Sequence, residues 1–209
     1  MSAFDHDAFM RNWRATRSKD GERITQAEYD LILSAIQGTW KPPAPAPHAA
    51  EPAWLREARR LIGTKEIPGP QHNNWIAKGW ARLGASWFND DETPWCGFFV
   101  AHCLDHAGLP YPGKGEFARA LAWNNWGKAS PARLGAIAVF GRQGGGHVGF
   151  AVGESAANLY ILGGNQSNAV TITPIAKTRL VGFRWPASLP LSTDPLPKMS
   201  GGTVSRNEA

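Results

Sequence analysis

The spacing of apolar residues changes once along this chain, near Pro131, and that change restricts the fold more than any other feature. Before it, apolar residues recur at helical intervals. After it, they come in short runs divided by Gly and Asn. Trp54-Leu55, Ala58 and Leu61-Ile62 predict a helix closed by Gly63, and Trp75-Ile76, Trp80 and Leu83 a second closed by Gly84. A third runs from Trp95 to Ala107, where Cys96, Phe99, Val100, Cys103 and Ala107 form one buried stripe. Residues 116–127 are expected to add a fourth. Strands are predicted over 136–140, 147–152, 159–162, 169–173 and 180–185. Helices followed by a strand meander give an α+β class, with helices packed on an antiparallel sheet of about five strands.

Residues 41–50, KPPAPAPHAA, read as an extended Pro/Ala linker. It divides a small helical module, 1–40, from a larger segment, 51–187. In the module, Phe4, Ala8, Phe9 and Trp13 fall at helical spacing, and Thr25 with Glu28 makes a capping box for a second helix. Residues 188–209, rich in Pro, Ser, Thr and Gly, read as a flexible tail. With 43% apolar and 19% charged residues the chain is globular rather than disordered. The large segment holds fourteen Lys and Arg against nine Asp and Glu, whereas the module is close to neutral. A basic segment suits an acidic partner, although a net charge of +5 is also an ordinary solubility charge. No Lys/Arg stripe suggests nucleic acid, and no apolar run is long enough for membrane insertion. The opening MSAFDHDAFM has acids where a Sec signal needs bases, so synthesis in the cytoplasm without a Sec signal peptide is expected.

Two residues stand out chemically. Cys96, in DDETPWCGFFV, falls in the first turn of the third helix, where unpaired N–H groups and the positive helix end favour a thiolate. Gly97 beside it leaves room for a substrate, and Trp95 is the expected cleft wall. Cys103, two turns deeper and too far from Cys96 for a disulfide, reads as core. A thiol nucleophile needs a base, and there are six histidines. His102 and His106 share the helix with Cys96 but point away from it. His147 opens a strand after three glycines in GRQGGGHVGF, so Gly146 leaves space beside the imidazole. In an antiparallel hairpin the end of the next strand, GGNQSN, lies beside it. Asn165 there is placed either to accept the His147 ring N–H, with Gln166 or Asn168 the alternatives if the hairpin register differs, or simply to make the turn. No ligand spacing supports a zinc site on His72, His147 and Cys103, so neither metal nor cofactor is expected.

The stretch from about Trp54 to Trp185 resembles the CHAP domains (cysteine, histidine-dependent amidohydrolases/peptidases) of the NlpC-type, papain-like superfamily. The matching marks are WLREARRLIGTKEIPGPQHN, DDETPWCGFFV, AVFGRQGGGHVGFAVG, LYILGGNQSNAV and LVGFRWP, in that order. The resemblance implies a papain-like fold and a phage-endolysin-like peptidoglycan hydrolase. Cys96 would be its nucleophile, His147 its base and Asn165 its orienting residue. Asp90-Asp91-Glu92 departs from the family's calcium loop, lacking alternating Asp-x-Asp spacing. Peptidoglycan would be the partner of a monomeric enzyme acting in the periplasm or on the wall, after holin release or specialised secretion. A secreted wall-degrading toxin of the same chemistry and a non-catalytic wall-binding module are the alternatives.

Overall fold

The computed structural model describes Ile32, residues 51–206 and Glu208. The chain divides into two units, Met1–His48 and Ala49–Ala209, with the boundary inside the Pro/Ala stretch. The helical module expected over 1–40 lies, apart from Ile32, outside the described residues.

In the second unit, α1 (Ala53–Arg60), α2 (Asn74–Arg82) and α3 (Cys96–His106) come first, followed by 3-10 turns at Glu116–Ala118 and Ala120–Asn125. The strands are β1 (Lys128–Ala129), β2 (Ile137–Arg142), β3 (Gly145–Glu154), β4 (Asn158–Gly163), β5 (Thr171–Ala176) and β6 (Leu180–Trp185). They form an open antiparallel sheet in the order β1-β6-β2-β3-β4-β5. The α+β class holds. The sheet has a sixth strand because Lys128 and Ala129 pair with Trp185 and Arg184. The expected fourth helix is two 3-10 turns, bounded by left-handed Gly115 and Gly127.

α3 is the central helix because it is apolar almost all round: every residue from Cys96 to Leu104 is buried. It packs on β3, where the Phe99 and Phe150 rings meet at 5.9 Å, and α1 packs against it in turn. Trp54 of α1 donates its indole N–H to the Gly135 carbonyl and meets the Trp185 ring edge-on. Glu57, buried on α1, accepts two hydrogen bonds from Arg60 and one from His102 of α3. Those bonds hold its carboxyl near a pKa of about 2.

Alternation along β3 divides its side chains between two apolar layers. Val148, Phe150 and Val152 join the layer under α3, and Ala151 joins a second layer with Ala138, Phe140, Leu159, Ile161 and Ile175. The segment after β6, expected as a flexible tail, covers this second face. Leu196 is buried in it, Met199 N–H donates to the Glu154 carbonyl and Glu154 N–H to the Pro197 carbonyl, Tyr160 donates to the Gly201 carbonyl, and Ser205 N–H donates to the Pro174 carbonyl. Its anchors are mostly backbone groups, which composition does not report.

Candidate active site

Cys96 is the first residue of α3, preceded by Trp95 as N-cap without a side-chain capping bond. The first-turn N–H groups therefore stay open to another acceptor. The Cys96 sulfur is placed for that role: the backbone N–H groups of Val148 from β3, of Gly97 and of Cys96 itself all act to lower its pKa. These donors and the Arg142 charge favour the thiolate, yet burial outweighs them and pushes the thiol above its ordinary range. The expectation of a resting thiolate is thus corrected: Cys96 is only 6% exposed, and desolvation opposes the helix-end effect.

The residues flanking Cys96 are committed to packing. Trp95 is fully buried, with its indole N–H on the Glu66 carboxylate at 2.7 Å and its ring edge-on to Trp75. It is core, not an open cleft wall. The Phe117 carbonyl oxygen stands where a Gly97 Cβ would go, so that glycine admits the backbone of the first 3-10 turn rather than a substrate. A Cβ on Gly146 would lie 2.7 Å from Leu121 and 2.8 Å from the Phe140 carbonyl oxygen, so its space is likewise taken.

His147 pairs across β2–β3 with Phe140, next to the Val139–Val148 pair. By alternation its side chain stands with Phe140 on the face opposite α3. There its Nε2 lies 3.1 Å from Gln166 Oε1. The Gln166 amide nitrogen has acceptors in the Ile161 and Thr171 carbonyls and the Thr171 and Thr173 hydroxyls. That nitrogen must donate, so Oε1 faces the ring. The hydrogen-bond network thereby assigns the proton to Nε2 and leaves Nδ1 as acceptor. The ring bond expected of Asn165 is made by Gln166. Asn165 has a left-handed backbone, φ 55°, which turns the chain out of the strand and swings the next side chain under the sheet. Gly163 leaves the room: a Cβ there would lie 2.9 Å from Gln166 Oε1 and 3.0 Å from His147 Nε2.

Burial lowers the His147 pKa to about 4, a shift opposed by Glu208 and the Gln166 bond and assisted by Arg142 and Arg179. Imidazole and thiol are therefore both neutral near pH 7. Among the described residues no hydrogen bond joins them, and they meet through one peptide, with the Val148 N–H on the sulfur. The remaining chemistry-bearing groups in this unit are engaged elsewhere. His102 and His106 flank Glu57, and His72 Nδ1 pairs with Asp91 at 2.9 Å. Cys103 is fully buried, and Asp91 also accepts the Ile67 and Asn73 N–H groups. Sequence reasoning offers Gln166 only as an alternative to Asn165, and it does not reach Arg179 and Glu208. The only sequence signal for Gln166 was its place in GGNQSN, and the two charged residues carry none.

No protein-family model matches this chain, and no curated protein matches it either.

Proposed function

We propose that this protein is a thiol hydrolase of bacterial peptidoglycan, cleaving an amide or peptide bond with Cys96 as nucleophile and His147 as base on a papain-like, CHAP-type scaffold. The observation that carries the reading is a helix-start cysteine whose sulfur receives the N–H of Val148, the residue after an imidazole held in one tautomer by Gln166. Such a site supplies a nucleophile, a base and an orienting group.

Because thiol and imidazole both rest neutral, the proton moves during attack rather than before it. Catalytic hydrogen bonds that are long at rest tighten in the substrate complex, and here substrate binding must bring Nδ1 to the thiol. Nδ1 then takes the thiol proton as sulfur bonds to the carbonyl carbon. The carbonyl electron pair moves to oxygen, which the N–H groups around the sulfur receive. His147 returns the proton to the leaving nitrogen as the C–N bond breaks. It then takes a proton from water, whose oxygen attacks the thioester and releases acid and thiol.

The basic second unit suits an anionic wall polymer. The reading has a monomer act at the wall or in the periplasm, reached by holin release or specialised secretion, as an endolysin or as a toxin of the same chemistry. Burial of both thiol and imidazole favours one other reading, a wall-binding module without activity. Purified peptidoglycan separates the two. Cys96→Ala is expected to abolish release of soluble fragments while binding persists, and Cys103→Ala to retain it. Mass spectrometry of the fragments identifies the bond: free stem peptides mean an amidase, split stems or cross-links an endopeptidase. A wild-type protein that binds walls and releases nothing establishes the module instead.

A further inference from the structure

Glu208 is a buried carboxylate, 2% exposed, that the mechanism above does not use. Both its oxygens lie 2.8 Å from Arg179, one on Nη1 and one on Nη2, a fork-to-fork ion pair. Ser205 donates to the same carboxylate, and the Glu208 carbonyl accepts the N–H of Ser167, the neighbour of Gln166. Arg179 also donates to the Gly141 and Ser205 carbonyls, which ties the covering segment to the end of β2. The clamp therefore sits on the sheet face that carries His147, and Glu208 and His147 each feel the other's charge.

We propose that Glu208 is a positioning residue for His147: clamped by Arg179, its carboxylate supplies the negative charge that balances the imidazolium formed when His147 takes a proton. Charged groups face this imidazole from three elements: Arg142 from the end of β2, Arg179 from the 3-10 turn Lys177–Arg179, and Glu208 from the covering segment. Gln166 adds its oxygen from the β4–β5 turn, and Cys96 lies beyond the Val148 peptide. Among the described residues Glu208 is the carboxylate that faces this imidazole, opposing the Arg142 and Arg179 charges, so its charge helps decide how readily the base can hold a proton. The role rests on the reading of His147 as the base.

The test is a nuclear magnetic resonance titration of His147 in the full chain, with histidine labelled by nitrogen-15 and the signal assigned through His147→Gln. Charge balance predicts opposite displacements. Glu208→Gln removes the anion and frees Arg179, so the midpoint moves to lower pH. Arg179→Met removes a cation, so the midpoint moves to higher pH. Glu208→Asp keeps the charge and stays nearer the wild type than Glu208→Gln. A role in mere coverage would admit water in either variant and move both midpoints up, towards an ordinary histidine. An unmoved or raised midpoint in Glu208→Gln overturns the proposal. If Glu208→Gln does not fold, Glu208→Asp and Arg179→Met decide together: a midpoint raised in Glu208→Asp, as coverage predicts, or one unmoved or lowered in Arg179→Met, overturns it. The readout is a proton on His147, not a cleaved wall, so its failure is distinct from a failure of Cys96→Ala to abolish cleavage.

Discussion

Replacing Gln166 with Leu keeps a buried side chain of similar reach and removes every polar contact of the amide. Three losses follow. The His147 Nε2–H loses its only acceptor among the described residues, Oε1 at 3.1 Å. The Thr171 carbonyl loses the closest contact of the amide nitrogen, at 2.6 Å, and the Ile161 carbonyl loses a longer one at 3.2 Å. The Thr171 and Thr173 hydroxyls are spared, since they lie 3.0 Å apart and bond one another. Each stranded buried group costs about 1–3 kcal/mol. With partial relief from the added apolar contact, the expected loss is about 3 kcal/mol, or about 6–12 °C of melting temperature for a unit of this size. The same change frees the imidazole to place its proton on Nδ1, so turnover should fall far more than the Michaelis constant rises. Asn165→Gly is the matched control. Glycine adopts the left-handed backbone that position 165 requires, so it should stay within about 1 kcal/mol of the wild type. Calorimetry and muropeptide release measure both effects. A Gln166→Leu protein that melts with the wild type and turns over normally, beside a crippled Asn165→Gly, would refute the assignment.

Gly97→Ala, favourable by about 1 kcal/mol in an ordinary helix, should here cost about 1–3 kcal/mol because the added carbon meets the Phe117 carbonyl, as urea unfolding will show. Acid should destabilise the fold in two windows, both from groups whose folded pKa is depressed and whose contribution is lost as pH falls. His147, lowered from 6.5 to about 4, withdraws about 3 kcal/mol between those values, and His147→Gln should shrink that first loss in the pH dependence of the melting temperature to the part due to His102, which burial also lowers. Glu57, lowered from 4.5 to about 2, withdraws a similar amount, about 3 kcal/mol, only below pH 4.5, and Glu57→Gln should reduce that second loss, leaving the part due to the depressed Asp91, Glu154 and Glu208 carboxyls.

Much of the fold was legible because single elements announced themselves. β6 has the predicted bounds, 180–185, and α3 starts one residue after its predicted start. Each is rich in apolar residues and has a proline at one boundary, Pro94 before α3 and Pro186 after β6. β1 was invisible because two residues carry no period. Residues 116–125 have the apolar content of a helix, but left-handed Gly115 at their start and extended Arg119 in their middle limit them to two short turns. The covering segment after β6 defeats a compositional reading for another reason. Its Pro, Ser and Gly residues lack side chains that bury well, but Met199, Ser205 and Glu208 dock through backbone atoms on Glu154, Pro174 and Ser167. Sequence shows side chains, and these contacts are made by the part of the chain that every residue shares.

The candidate site was half legible for a more specific reason, the parity of strand positions. Cys96 and His147 are recognisable by residue type and by their breakers, but facing is a matter of odd and even. In GGHVGFAV the large apolar residues Val148, Phe150 and Val152 claim the helix side, so His147 must take the other. Matching the ends of two strands brings His147 beside GGNQSN whatever its parity. Parity also explains the choice of Asn165 over Gln166. β3 and β4 pair Phe150 with Leu162, and a straight continuation of both would set His147 opposite Asn165. The chain does not continue straight: Asn165, Ser167 and Asn168 all have positive φ, a conformation that costs a residue with a side chain roughly 1–2 kcal/mol. Three such residues around Gln166 coil the turn, and the glutamine side chain returns beneath Ile161 to reach the imidazole. Left-handed backbone concentrated at one point persists only where the surroundings over-determine it. Here the surroundings are the acceptors that fix the Gln166 amide, so the strain of the turn and the tautomer of His147 have one cause.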